Sequence, residues 1–450
     1  MKMKHTVLFF GMALAFGNAW AQQEFTATLK GHAVLKADAT LTAPKDAPVD
    51  LQTSGKYTTG KKMTALGAVP GKSADRLTGH HLPIQGQPLQ GHSGIQVMPD
   101  GTMWIVTDNG FGSKANSSDS MLYANRYRID WEKGDYHQLE TVFLSDPQHK
   151  VPFRIVHELT PERYLTGSDF DLESMQVIGD SLWFGEEFGP YLIKANKAGQ
   201  IQAVFETEVE QDVVRSPDHY AVSSPAIPDG TYTNVNLRRS KGIEGMAASK
   251  DGAFLYPMLE GPLWDQNTSS WEQKDQRTVL RILEFDVAKE RWTGRYWDYP
   301  LEAAHHAIGD FNMIDENTAL VIERDNGEGT PDKACQPNRD TTTCFSQLPE
   351  FKRVYKIAFT PDMAGGAVQK IGYIDLLAIQ DPQQLARKPL TDGVLQFPFF
   401  TIENVDVVDA KHIVVGNDNN YPFSSSREPN QQDDNELVLL EVADFLKAKP

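Results

Sequence analysis

Carboxylates recur in this chain at the same point of a repeated phrase. Residues 91–110, GHSGIQVMPDGTMWIVTDNG, recur in outline at 169–189, 241–261, 307–327 and 400–420. Each copy opens on a small or acidic residue: Ser93, Glu173, Glu244, Asp310 and Glu403. Each closes on acids or amides: Asp108-Asn109, Glu186-Glu187, Glu260, Asp325-Asn326 and Asp418-Asn419. If the copies converge, these carboxylates cannot all stay ionised alone, because like charges in close contact raise one another's pKa. Either some take up protons or cations sit among them. Oxygen ligands without cysteine and with few histidines favour Ca²⁺ or Mg²⁺ over zinc.

A single acid at a strand end is explained by turn capping through its own side chain. A register-matched set asks for a common cause, and a metal-holding ring supplies one. Asp108, Glu173, Glu186, Asp310, Asp325, Glu403 and Asp418 are the expected metal ligands. Glu187 and Glu244 are expected nearest the chemistry. Basic groups at the same points are few: His92, Lys241 and Arg324, with His305 and His306 nearby. Arg324 lies between Glu323 and Asp325; it either neutralises those neighbours or grips an anionic group with its two-pronged guanidinium. His92, Asn109, Lys241, Asn326 and Asn419 are expected to line the substrate. No G-x-S-x-G elbow and no H-E-x-x-H occurs, so serine-hydrolase and zincin readings lack their motifs.

The elements that must position these groups follow from the phrase itself. Two short alternating apolar runs flank a polar turn (Pro99-Asp100-Gly101, Gly179-Asp180, Asp251-Gly252, Asp315-Glu316-Asn317, Asp409-Ala410-Lys411). That is the pattern of a β-hairpin. The openers and the exits Asp108, Glu187, Leu259, Asp325 and Asp418 move together along the chain, which marks a repeat protein. A third strand-like run follows every hairpin, and a fourth follows all but the last. The expected fold is therefore all-β: a propeller of four-stranded antiparallel blades, with five evident repeats. The residues before 91 are long enough for a sixth blade. The last unit lacks its outer strand, which the N-terminal segment 22–60 should supply to close the ring, leaving 61–450 as the propeller proper. In a hairpin the start of the first strand lies beside the end of the second, so openers and exits should share one end of the central channel.

Residues 1–21 read as a secretory leader, with Lys2 and Lys4, an apolar run and a small-x-small site at Ala19-Trp20-Ala21. Periplasmic or secreted location is expected. Cys335 and Cys344 should then form one disulfide stapling a loop. Hydrophobic residues at 40% and charged residues at 23% suit a globular protein. The net charge of −18 repels nucleic acid and anionic membranes. A soluble monomer acting on a small molecule is expected, without nucleic acid and without a membrane span.

The GHSGI opener, LWFGEEFGP, KGIEGM, ERDNG and the final NDNNYPF followed by Arg427 and 433–436 resemble the bacterial phytase-like propellers, described as having esterase-like activity of the phytase type. The resemblance covers roughly 60–445. It implies a secreted propeller that hydrolyses phosphate esters with Ca²⁺ in an acidic funnel. Glu186, Glu187, Glu244, Arg324 and Asp325 match the group's recurring motif positions. The basic residues that phytate's many phosphates would need are sparse. The alternative from another class is a non-catalytic propeller binding a sugar, lactone or peptide, because a fold never fixes a function.

Overall fold

The computed structural model describes residues 22–222, 234–337 and 340–450; the expected leader 1–21 lies outside them. Among the described residues the strands form five blades, each opening with the hairpin read from the sequence. Blade 1 comprises His92–Val97, Met103–Thr107, Tyr123–Asp130 and Asp135–Phe143. Blade 2 comprises Leu172–Ile178, Ser181–Glu186, Tyr191–Asn196 and Ile201–Glu206. Blade 3 uses Ile243–Ala248, Phe254–Leu259, Arg277–Asp286 and Arg291–Pro300, and blade 4 uses Ala307–Met313, Thr318–Arg324, Lys352–Ala358 and Gln369–Asp375. Blade 5 has Ile402–Val407, His412–Asn417 and Asn435–Glu441, and its outer strand is Thr28–Leu35, antiparallel to Asn435–Glu441. The innermost strands touch in cyclic order, blade 5 against blade 1, so the ring is closed.

The hairpins form where the sequence places turn chemistry. Gly101 and Gly252 take positive φ, as a tight turn requires. In blades 4 and 5 a side chain closes the turn instead: Asp315 Oδ1 accepts from the Asn317 and Thr318 N–H groups, and Asp409 Oδ1 from those of Lys411 and His412. The second strands of blades 1 and 4 are buried on both faces, whereas the outermost strand of blade 1 is largely exposed. Apolar side chains fill the wedges between blades. Leu29, Ile322, Phe397 and Val438 pack between blades 4 and 5, and Trp183, Met246 and Phe285 between blades 2 and 3.

No sixth blade forms from the described residues before 91. Gln23–Phe25 adds in parallel to the outer edge of blade 4, and Thr28–Leu35 is used by blade 5. The remainder makes short two-stranded pairs, among them Val69–Ser73 with Arg76–Leu82. That last hairpin lies against two loops: Arg76 pairs with Glu328, and Thr78 donates to the Pro422 carbonyl. Cys335 and Cys344 are joined in a disulfide, as expected. Among the described residues no helix is long and apolar enough to cross a membrane.

The channel is cross-tied rather than open along its length. Asp310 Oδ2 accepts from the Ile95 and Val405 N–H groups, each at 3.2 Å, joining the inner strands of blades 4, 1 and 5. Asn312 donates to the Ile95 and Val405 carbonyls, and Gln176 donates to Asn312. These side chains meet backbone groups that the separate sheets leave unpaired.

Candidate functional site

A β-bulge sits at the same point of every innermost strand and decides which side chain enters the channel mouth. In blade 2 Leu172 pairs with Glu186 and Ser174 with Gly185, so Glu173 is the extra residue. The same two-against-one step leaves Ser93, Glu244 and Glu403 at the bulges of blades 1, 3 and 5. Blade 4 differs from the sequence expectation. Ile308 pairs with Glu323 and Phe311 with Val321, which puts Gly309 in step with the openers and Asp310 one residue deeper. The cause is steric. A Cβ on Gly309 would come within 2.2 Å of the Ile402 carbonyl oxygen, so no acid fits there.

The exits shift in the same way. Glu187 N–H donates to the Asp171 carbonyl, Glu260 N–H to that of Gly242 and Asp108 N–H to that of Gly91, while Arg324 pairs with Ala307. Asp418 follows the Ile402–Asn417 pair. The exit residues in register are therefore Asp108, Glu187, Glu260, Arg324 and Asp418, rather than Leu259 in blade 3 or Asp325 in blade 4. Blade 4 contributes a glycine and an arginine where its neighbours contribute acids.

The result is a buried acidic ring. Oxygens of Asp171, Glu173 and Glu187 lie within 4.8 Å of one another, as do those of Glu173, Glu244 and Glu403, and those of Glu187, Glu244 and Glu260. The three groups share Glu173, Glu187 and Glu244. Burial first, and neighbouring carboxylates second, drive the Glu173, Glu187 and Glu244 carboxyls well above the usual range. Burial pushes Glu403 up to about 7 against the pull of Arg324, and Asp108 up to about 8. Asp418 is also raised well above its ordinary value, by burial and then by Asp108 and Glu403. Two cations answer this charge among the described residues. Lys241 pairs with Glu260, and Arg324 Nη2 lies 3.5 Å from Glu403 Oε1. Glu187 Oε1 and Arg324 Nε are buried without hydrogen-bond partners. Ser93 Oγ donates to Glu403 Oε2 at 3.3 Å.

Of the residues expected at the site, the structure brings together Asp108, Glu173, Glu187, Glu244, Arg324, Glu403, Asp418 and Lys241. Others turn elsewhere. The His92 ring is buried beside Tyr127 and Tyr136, and burial holds its pKa down at about 3. Glu186 faces back into its own blade and accepts from the Phe188, Gly189 and Tyr191 N–H groups. Asp310 is the channel tie described above. Asp325 accepts from the Gly327, Glu350 and Phe351 N–H groups and sits 3.2 Å from Lys352 Nζ. Lys352 and these donors outweigh burial and keep its carboxyl low. Asn419 Oδ1 accepts from the Gly91 N–H. Asn109 and Asn326 act on site residues: Asn109 donates to Asp171 Oδ2 at 2.7 Å, and Asn326 Oδ1 accepts from Arg324 Nη1 at 3.0 Å. Asp171 is the ring acid that sequence reasoning missed; its signal was the second acid of Asp169–Glu173, two residues ahead of the opener.

Residues 87–421 match the phytase-like family, described as esterase-like activity of phytase. The chain belongs to that family. A curated relative of this phytase-like chain is an uncharacterized secreted protein of Arthroderma benhamiae, 28% identical over 123 residues, or 25% of this chain. The match spans 23% of that protein's length. Among solved structures, the periplasmic gluconolactonase of Pseudomonas aeruginosa is similar at 13% identity, with 86% of this chain and 98% of that chain covered and a TM-score of 0.29. A putative 6-phosphogluconolactonase from Bacteroides fragilis is similar at 11% identity, covering 75% and 80%, with a TM-score of 0.30.

Proposed function

We propose that this phytase-like propeller is a metal-dependent hydrolase of phosphate monoesters working at the acidic mouth of its channel. The observation that carries the reading is the ring itself: three overlapping carboxylate triads, buried, with Arg324 set into the one blade that offers no acid. The donor set fits a hard divalent cation, because every ligand atom is a carboxylate oxygen and Glu187 Oε1 still lacks a partner. Asp171, Glu173, Glu187, Glu244, Glu260 and Glu403 are the residues that would hold Ca²⁺, with Mg²⁺ as the smaller alternative. A cation bound there offsets the repulsion among these carboxylates and withdraws charge from an anionic ester.

The chain's own residues supply the rest. Arg324 binds a phosphoryl oxygen and keeps the phosphorus in place, and its charge stabilises what builds up on that oxygen. Glu187 or Glu244 takes the proton of a water as its oxygen bonds to phosphorus. The bond from phosphorus to the alcohol oxygen breaks, and that oxygen leaves as the alcohol by taking up the proton that Glu187 or Glu244 removed from the water. Positioning and charge stabilisation suffice for phosphoryl transfer, which asks little covalent chemistry of a protein. Periplasmic or secreted location is part of the reading, since the disulfide suits an oxidising compartment.

The test sets elemental analysis of the purified protein beside hydrolysis of 4-nitrophenyl phosphate and 4-nitrophenyl acetate. Bound Ca²⁺ with chelator-sensitive turnover of the phosphate is expected. Metal without turnover of either ester would return the propeller to a ligand-binding role.

A further inference from the structure

Phe400 stands beside the gap in the acidic ring and remains 40% exposed. Its backbone is held on both sides, by its N–H donating to Ser426 Oγ at 3.1 Å and by its carbonyl facing Lys352 Nζ at 3.5 Å. Its ring lies 5.6 Å from the Arg324 guanidinium carbon. An aromatic face is therefore presented next to a buried guanidinium whose Nε still lacks a partner and whose other end reaches Glu403. The acids that flank Arg324 in sequence are occupied elsewhere. Glu323 is bound by Lys370 at 2.7 Å and by the Tyr299 hydroxyl at 2.9 Å, and Asp325 by Lys352.

Lys241 is paired with Glu260, while Arg324, facing Glu403 and Asn326, keeps an Nε without a partner. A phosphate held at Arg324 can lay the apolar part of its alcohol on Phe400.

On the basis of that phosphomonoesterase reading, we infer that the substrate is a monophosphate ester of an aromatic or apolar alcohol, with the phosphate at Arg324 and the alcohol's apolar part against Phe400. Phe400 is then a specificity-determining residue. An aromatic contact made in the transition state is a selective advantage of roughly tenfold, the size typical of one apolar group in a pocket.

The experiment compares kcat/KM for benzyl phosphate, ethyl phosphate and inositol hexakisphosphate in the calcium-loaded protein and in Phe400→Ala and Phe400→Leu. Benzyl and ethyl alcohols are similar leaving groups, so their ratio reads the apolar contact and not the chemistry. Expected is a benzyl-to-ethyl ratio of roughly ten or more, a fall in that ratio of about tenfold in Phe400→Ala with a smaller fall in Phe400→Leu, and inositol hexakisphosphate the poorest of the three. A wild-type ratio near one, a ratio preserved in both variants, or preference for inositol hexakisphosphate would overturn the inference and leave the phosphoesterase reading standing. Absence of turnover for all three esters would overturn that reading and this inference together.

Discussion

Arg324 reaches across the seam between blades 4 and 5 to Glu403, Nη2 to Oε1 at 3.5 Å, from the register position at which the other blades carry Asp108, Glu187, Glu260 and Asp418. One cation thus occupies a place in a ring otherwise built of acids. Its neighbours in sequence do not neutralise it, because Glu323 and Asp325 are held by Lys370 and Lys352.

Replacing Arg324 with Gln should therefore act on turnover more than on folding. The expected loss is roughly a hundredfold or more in kcat for a phosphate monoester, with the β-rich circular dichroism spectrum retained. Lysine should rescue in part, since a point charge does not reproduce a two-pronged donor. Steady-state kinetics of the three proteins checks this, and an unchanged kcat in Arg324→Gln would remove the clamp.

The ring's titration gives a pH dependence of defined sign. Glu403 and Asp108 are raised to about 7 and about 8 in the folded protein, above their unfolded values. Between the ordinary carboxylate range and those values the folded state binds more protons than the unfolded one, so stability falls as pH rises. Chelated protein should lose melting temperature from pH 5 to pH 8, and added Ca²⁺ should restore more of it at pH 8 than at pH 5. Differential scanning fluorimetry with and without chelator reads both slopes.

Asp310 should separate structure from chemistry. Its carboxylate accepts from Ile95, Val405 and Phe311 N–H groups and from the Asn312 amide, which ties the inner strands together. Asp310→Ala leaves buried donors unpaired and should cost about 3–5 kcal/mol in denaturant unfolding, at about 1–3 kcal/mol per orphaned group. Calcium uptake by the variant that remains folded should persist, because the carboxylate is not part of the ring.

The hairpins were legible because period-two runs around Asp-Gly, Gly-Asp and similar turns leave few other readings, and the two cysteines in one short loop left little doubt about their bridge. Blade 4 was not legible. A bulge adds one residue, and a slip of one residue exchanges the faces of a strand, so Gly309 and Asp310 trade roles on a difference that spacing alone cannot register. What decides it is the Ile402 carbonyl against Gly309, a contact between residues far apart in sequence. His92 and Glu186 misled for the same reason: each is next to a ring residue in sequence and points to the opposite face. Phe400 carried no periodic signal, since it lies just ahead of a strand and matters only through its contact with Arg324.

Calcium titration of the demetallated protein by isothermal calorimetry, run in parallel with phosphate-monoester turnover at each step, tests the ring most directly. Glu173→Gln and Glu244→Gln serve as the altered proteins, because these two residues are shared between triads. Expected is saturable Ca²⁺ binding by the native chain, turnover that rises with occupancy, and binding weakened about tenfold or more in either variant. Absence of calcium heat in the native chain, or turnover indifferent to chelation, would contradict a metal-dependent site at the acidic mouth.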